Sequence, residues 1–101
     1  MIISRWQATI VPSVEQIKTI LEAEGFDYVE ERFSPQTKIT EHRHPFTEVR
    51  YIVYGELLFN ISGNQFLLRS GDRVEIPSNT KHSYFNNSDQ DCLCVYAQKP
   101  F

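Results

Sequence analysis

Glu41-His42-Arg43-His44-Pro45-Phe46-Thr47-Glu48-Val49-Arg50-Tyr51 is the stretch on which the rest of the chain depends. It sets two His and two Glu close together inside a sequence that otherwise reads as short β-strands. Side chains alternate faces along an extended strand, so His42 and His44 project to the same side. That spacing suits two imidazoles on one metal ion. Glu48 lies four residues beyond His44, about 13 Å away were the chain to stay extended, which is too far to share the ion. The chain must therefore turn between them, and Pro45 suits the break because it cannot donate to a ladder. Folded back, Glu48 on the following strand can offer an oxygen to the site that the two His begin.

A second cluster runs from Gly71 through Asp72, Pro77, Asn79 and His82 to Asn86. Together the two stretches resemble the signature motifs of the cupin superfamily. The first, H-x-H-x3-E-x6-G, is met by His42, His44, Glu48 and Gly55. The second, G-x5-P-x-G-x2-H-x3-N, is met by Gly71, Pro77, His82 and Asn86, with Asn79 standing where the family usually has Gly. Asn tolerates a left-handed turn better than most residues, so the departure leaves the expected fold intact. The resemblance is to a small cupin of one domain spanning residues 1–101, an all-β jelly-roll barrel with one short N-terminal helix. It carries His42, His44, Glu48 and His82 over as metal ligands.

Three imidazoles and a carboxylate suit one divalent transition ion, drawn from Fe, Ni, Mn, Zn and Cu, and serve Ca or Mg poorly. Which of them it is does not follow from ligand identity. If Glu48 faces inward, alternation sends Arg50 and Ile52 inward too. A guanidinium in an apolar interior is costly unless paired. Two readings follow: an ion pair with an internal carboxylate such as Glu41 or Glu48, or a fork held ready for an anionic or enolate oxygen of a ligand. The run Glu48-Val49-Arg50-Tyr51, followed by Gly55, looks like the acireductone dioxygenase branch of cupins. In that branch the corresponding Arg contacts substrate, which makes Arg50 the candidate catalytic residue. Phe46, Tyr84 and Phe85 are expected at the pocket rim, with Ile52 lining it, and Lys38 and Thr40 share the parity of His42. Arg73 and Glu75 are expected to face solvent.

Around this centre the sequence reads as strands and turns. Ile2, Trp6, Ala8 and Ile10 alternate with polar residues and predict a half-buried strand over residues 2–11, which either covers the barrel or pairs with a second subunit. Ser13 and Gln16 form a capping-box pattern, Val14, Ile17, Ile20 and Leu21 one apolar face, and Gly25 a stop. Strands are expected over 27–33, 38–44, 48–54, 57–61, 65–69, 74–76, 81–85 and 92–97, with Ser62-Gly63-Asn64 marking a hairpin. Cys92 and Cys94 read as reduced, packed thiols.

A formal charge of −3 without a Lys/Arg run argues against nucleic acid or an anionic membrane surface as partner. No stretch approaches the ~20 apolar residues of a membrane span, and the N-terminus lacks a signal-peptide pattern, which predicts the cytoplasm. An apolar N-terminal strand predicts a homodimer. Two functions remain open: a mononuclear metal-dependent dioxygenase acting on a small oxygenated anion, and a non-catalytic metal-dependent sensor or carrier of a small ligand. An isomerase or epimerase is disfavoured, because no acid–base pair stands apart from the ligands.

Overall fold

The computed structural model describes residues 2–99. Its elements are β1 (Ile2–Ser4), α1 (Val14–Ala23), β2 (Tyr28–Phe33), β3 (Lys38–His42), β4 (Thr47–Tyr54), β5 (Glu56–Ile61), β6 (Asn64–Arg69), β7 (Arg73–Ile76), β8 (His82–Phe85) and β9 (Cys92–Lys99). They form two antiparallel sheets, ordered β1-β7-β4-β9-β2 and β3-β8-β5-β6. This is the expected all-β jelly roll. It is a pair of sheets, and among the described residues no hydrogen-bonded ladder closes them into a ring. β2 and β3 are consecutive in sequence and each is the last strand of its sheet.

The central strand β4 is buried from Glu48 through Val53, because it is covered on both faces. Ile52 meets Phe33, Phe59, Leu57, Val74 and Tyr84 in the core between the sheets. Val49, Tyr51 and Val53 face the other way, onto Ile17 and Leu21 of α1. The helix starts as its sequence predicts, with the Ser13 side chain and the Gln16 side chain each satisfying the other's backbone N–H. Gly25 then takes a φ of +84° just past its end. The β5–β6 hairpin turns on Ser62 and Gly63, both at positive φ, which is the two-residue loop that matches strand twist.

Several expectations are corrected. The N-terminal strand spans only Ile2–Ser4 and pairs with β7 of its own chain as the edge strand of that sheet. Beyond it Asp72 accepts hydrogen bonds from the Trp6 amide and the Arg5 guanidinium, which pulls the chain off the strand path. Ile10 and Val11 are exposed. Arg73 does not face solvent: it forks onto Glu24 at the end of α1 at 2.6 and 2.7 Å and reaches the Tyr51 hydroxyl, tying helix to sheet. Glu75 is partly buried beside it and receives Lys99. Lys38 stands over the Phe85 ring on the far side of β3 and β8 from the buried Tyr84, so Lys38 and Phe85 leave the expected rim. Cys92 and Cys94 are free and buried, as expected, with sulfurs 4.0 Å apart.

Candidate metal centre

Three strand ends build the site. His42 closes β3 and stands opposite His82, the first residue of β8. The register slips by one residue between Ile39 and His42, a bulge that aims both Ile39 and His42 inward although they are three apart. This breaks the parity that linked Lys38 and Thr40 to His42. His44 lies just past the strand, in the loop carrying Pro45, and its carbonyl accepts the Asn79 amide at 2.6 Å. Asn79 takes a φ of +60°, the left-handed conformation expected at the position usually held by Gly.

The imidazoles of His42, His44 and His82 converge, with one nitrogen of each lying within 4.8 Å of the others. His42 and His82 each place Nδ1 2.8 Å from a backbone carbonyl, of Thr40 and Thr80 respectively. A carbonyl only accepts, so each Nδ1 carries the proton and each Nε2 presents a lone pair to the centre. The His42 and His44 Nε2 atoms are 3.1 Å apart. His82 Nε2 is buried and has no hydrogen-bond partner among the described residues. A buried nitrogen left so, beside two further imidazole nitrogens, fits a cation. Burial holds the His44 and His82 pKa values below the usual imidazole range, and the neutral form is the one that ligates.

Glu48 stands beside this triad. Its Oε1 is 3.4 Å from His44 Nε2 and 3.8 Å from His82 Nε2. The Tyr84 hydroxyl donates to the carboxylate, 2.6 Å from both oxygens, and Arg50 Nε donates to Oε2 at 2.8 Å. Burial alone would raise the Glu48 pKa; the Arg50 charge and these hydrogen bonds outweigh it and hold the group low, as a carboxylate. Burial and the neighbouring carboxylate push the Tyr84 phenol well above its ordinary value, so it stays a donor.

Of the two readings of Arg50, the ion pair with Glu48 is present. A second carboxylate, Glu31 of β2, takes Arg50 Nη1 at 2.7 Å. Arg50 is 2% exposed, and its guanidinium lies against the rings of Tyr96, Tyr84 and Phe33. Glu41, the other carboxylate considered for Arg50, is exposed and lies near Lys81. Glu31 was missed, yet alternation from Phe33 places it on the inward face of β2, and that signal was available. Phe46 stacks on the His44 ring at 4.6 Å and an interplanar angle of 11°. Ile52 lies in the core beneath the site. Asn86 is buried as a clamp, donating to the Phe33 and Gln90 carbonyls and accepting from Ser88.

A family model described as "Cupin domain" matches residues 29–97. Over 67 residues the chain is 33% identical to "Polyketide synthase CurC" of Streptomyces cyaneus, covering 65% of this chain and 44% of that protein. Over 60 residues it is 37% identical to "Acireductone dioxygenase" of Bacillus licheniformis, covering 54% of this chain and 34% of that one. The match thus spans less than half the length of these relatives. Among solved structures, an oxalate oxidase in complex with the substrate analogue glycolate superposes with a TM-score of 0.67 at 26% identity, over 76% of this chain and 43% of that one. No helix among the described residues is long and apolar enough to cross a membrane.

Proposed function

The chain belongs to the cupin family, and from that premise we propose that His42, His44, His82 and Glu48 hold one divalent transition metal ion at which a small oxygenated anion is bound and oxidised by dioxygen. The observation that carries the reading is the convergence of three imidazole nitrogens, one of them buried and unpartnered, next to an ionised carboxylate. Such an ion, when bound, supplies Lewis acidity and a template for adjacent ligand oxygens.

The protein's own part is positioning. Thr40 and Thr80 fix the His42 and His82 rings through Nδ1. Tyr84 and Arg50 fix the Glu48 carboxylate and keep it charged. Phe46 covers His44 on the outer side. Arg50 supplies positive charge near the site. The relationship to acireductone dioxygenases and to an oxalate oxidase supports small oxygenated acids and enediols as the substrate class.

A second reading, a metal-dependent binding module without turnover, is favoured by one observation. The polar groups around the triad are engaged with one another: Tyr84 with Glu48, and Arg50 with Glu48 and Glu31. Dioxygen uptake by protein loaded separately with iron, nickel and zinc, screened against enediols, diketones and 2-oxygenated acids, separates the two. Uptake with iron or nickel supports the dioxygenase. Tight ligand binding without uptake under any metal supports the binding module. For assembly we propose a homodimer, since Ile2, Ile10 and Val11 leave apolar surface exposed at the N-terminal end; a monomeric mass by light scattering at micromolar concentration contradicts it.

A further inference from the structure

The two carboxylates on Arg50 are not equivalent. Glu48 is buried, and leaving Arg50 would strand its charge in the interior. Glu31 lies on β2, the terminal strand of its sheet, and its side chain is 40% exposed. Its carboxylate can turn to water, which the Glu48 carboxylate cannot, and a ligand carboxylate arriving at Nη1 would keep the buried Arg50 guanidinium paired.

We propose that Glu31 is a resident substitute for a ligand carboxylate: it occupies the outward Nη1 of Arg50 and makes the site select monoanions over dianions. The inference rests on the small-anion reading of the metal centre. A divalent ion brings two positive charges and Arg50 one, against two negative charges from Glu48 and Glu31, which leaves one positive charge for a ligand to neutralise. The histidines are neutral when they ligate. The remaining nearby charges point elsewhere: Arg43 to the Asn79 carbonyl, Lys81 towards Glu41, and Lys38 over Phe85. With Glu31 in place, a second ligand carboxylate meets a guanidinium already satisfied on two sides. With Glu31 neutralised, the count rises to two and Nη1 becomes free for a bidentate partner.

Glycolate and oxalate test this, being two-carbon chelators of similar size that carry one and two negative charges at neutral pH. Their dissociation constants are measured by calorimetry on the full chain loaded with zinc, which is redox-inert, for wild type, Glu31→Gln and Glu31→Ala. Both variants are expected to shift the affinity ratio towards oxalate by about tenfold, the order of effect of one nearby charge at a partly solvated site, with zinc content unchanged. An unchanged ratio in both variants overturns the role of Glu31 alone. Loss of zinc on neutralising Glu31 also overturns it, by making the residue structural. Failure of either anion to bind any of the three proteins at full zinc content overturns the small-anion reading and this inference together.

Discussion

At the scale of single residues, the centre depends on how Glu48 is held. A lone carboxylate at this depth would be driven towards its neutral form, and Arg50 and Tyr84 reverse that. The phenol contributes a hydrogen bond to a charged acceptor, so removing it leaves Glu48 less well oriented and less ionised. Tyr84→Phe keeps the ring that packs against Phe59 and Phe33 and deletes that bond. Loss of such an orienting partner typically costs about 10–100-fold in metal affinity, and a fall of that size in a competitive chelator titration is expected. An affinity equal to wild type would detach Tyr84 from the centre. Arg50→Gln is expected to cost about 3–5 kcal/mol of stability, because it abandons a buried carboxylate, and denaturant unfolding measures it. These pairings were only half legible in the sequence. Motif spacing pointed to Glu48, and parity pointed inward for Arg50 and Tyr84. The pairing with Glu31 needed the knowledge that β2 lies two strands from β4, beyond β9.

At the scale of elements, turns and irregularities place the ligands. Gly55, between β4 and β5, has a φ of +79°, and a Cβ there would stand 2.5 Å from the Asp91 carbonyl oxygen and 2.8 Å from Cys92 Cα. Both are backbone atoms and cannot rotate away. Gly55→Ala therefore meets strain and clash together, and a loss of about 1–3 kcal/mol follows from the strained backbone alone; a thermal midpoint within a degree of wild type would contradict it. The alternation that put His42 and His44 on one side led to the right place by an incomplete route. β3 ends at His42, and the bulge after Ile39, invisible to a strict period of two, resets the parity so that Thr40 no longer shares the face of His42. The capping box on Ser13 and the two-residue turn at Ser62-Gly63 were legible because each is a local bargain between neighbours. The N-terminal strand was misjudged because its fate is settled by Asp72, far along the chain.

At the scale of the whole molecule, the two sheets clamp neutral imidazoles, and this gives stability a definite dependence on pH. Burial lowers the His44 and His82 pKa values in the folded chain below the 6.5 of a free imidazole. Between those lowered values and 6.5 the unfolded chain binds more protons than the folded one, so stability falls as pH drops through 6.5 and levels once the folded values are passed. Glu48, also lowered, adds a second loss that begins below 4.5 and is complete below its folded value. Thermal midpoints of the metal-free protein should decline between pH 7 and 5 and again below 4.5; a flat profile over the first interval contradicts the burial of neutral histidines. The cupin motifs made the jelly roll legible from two short stretches, whereas the order of strands within each sheet, with β2 and β3 at the ends, is information carried by no single segment. The metal centre is tested most directly by one quantity, the transition metal held per chain. Elemental analysis after loading and desalting should give about one ion per wild-type chain and a near-complete loss in the His42→Ala, His44→Ala double variant, with folding checked by circular dichroism. A double variant that folds and retains the wild-type metal content would contradict it.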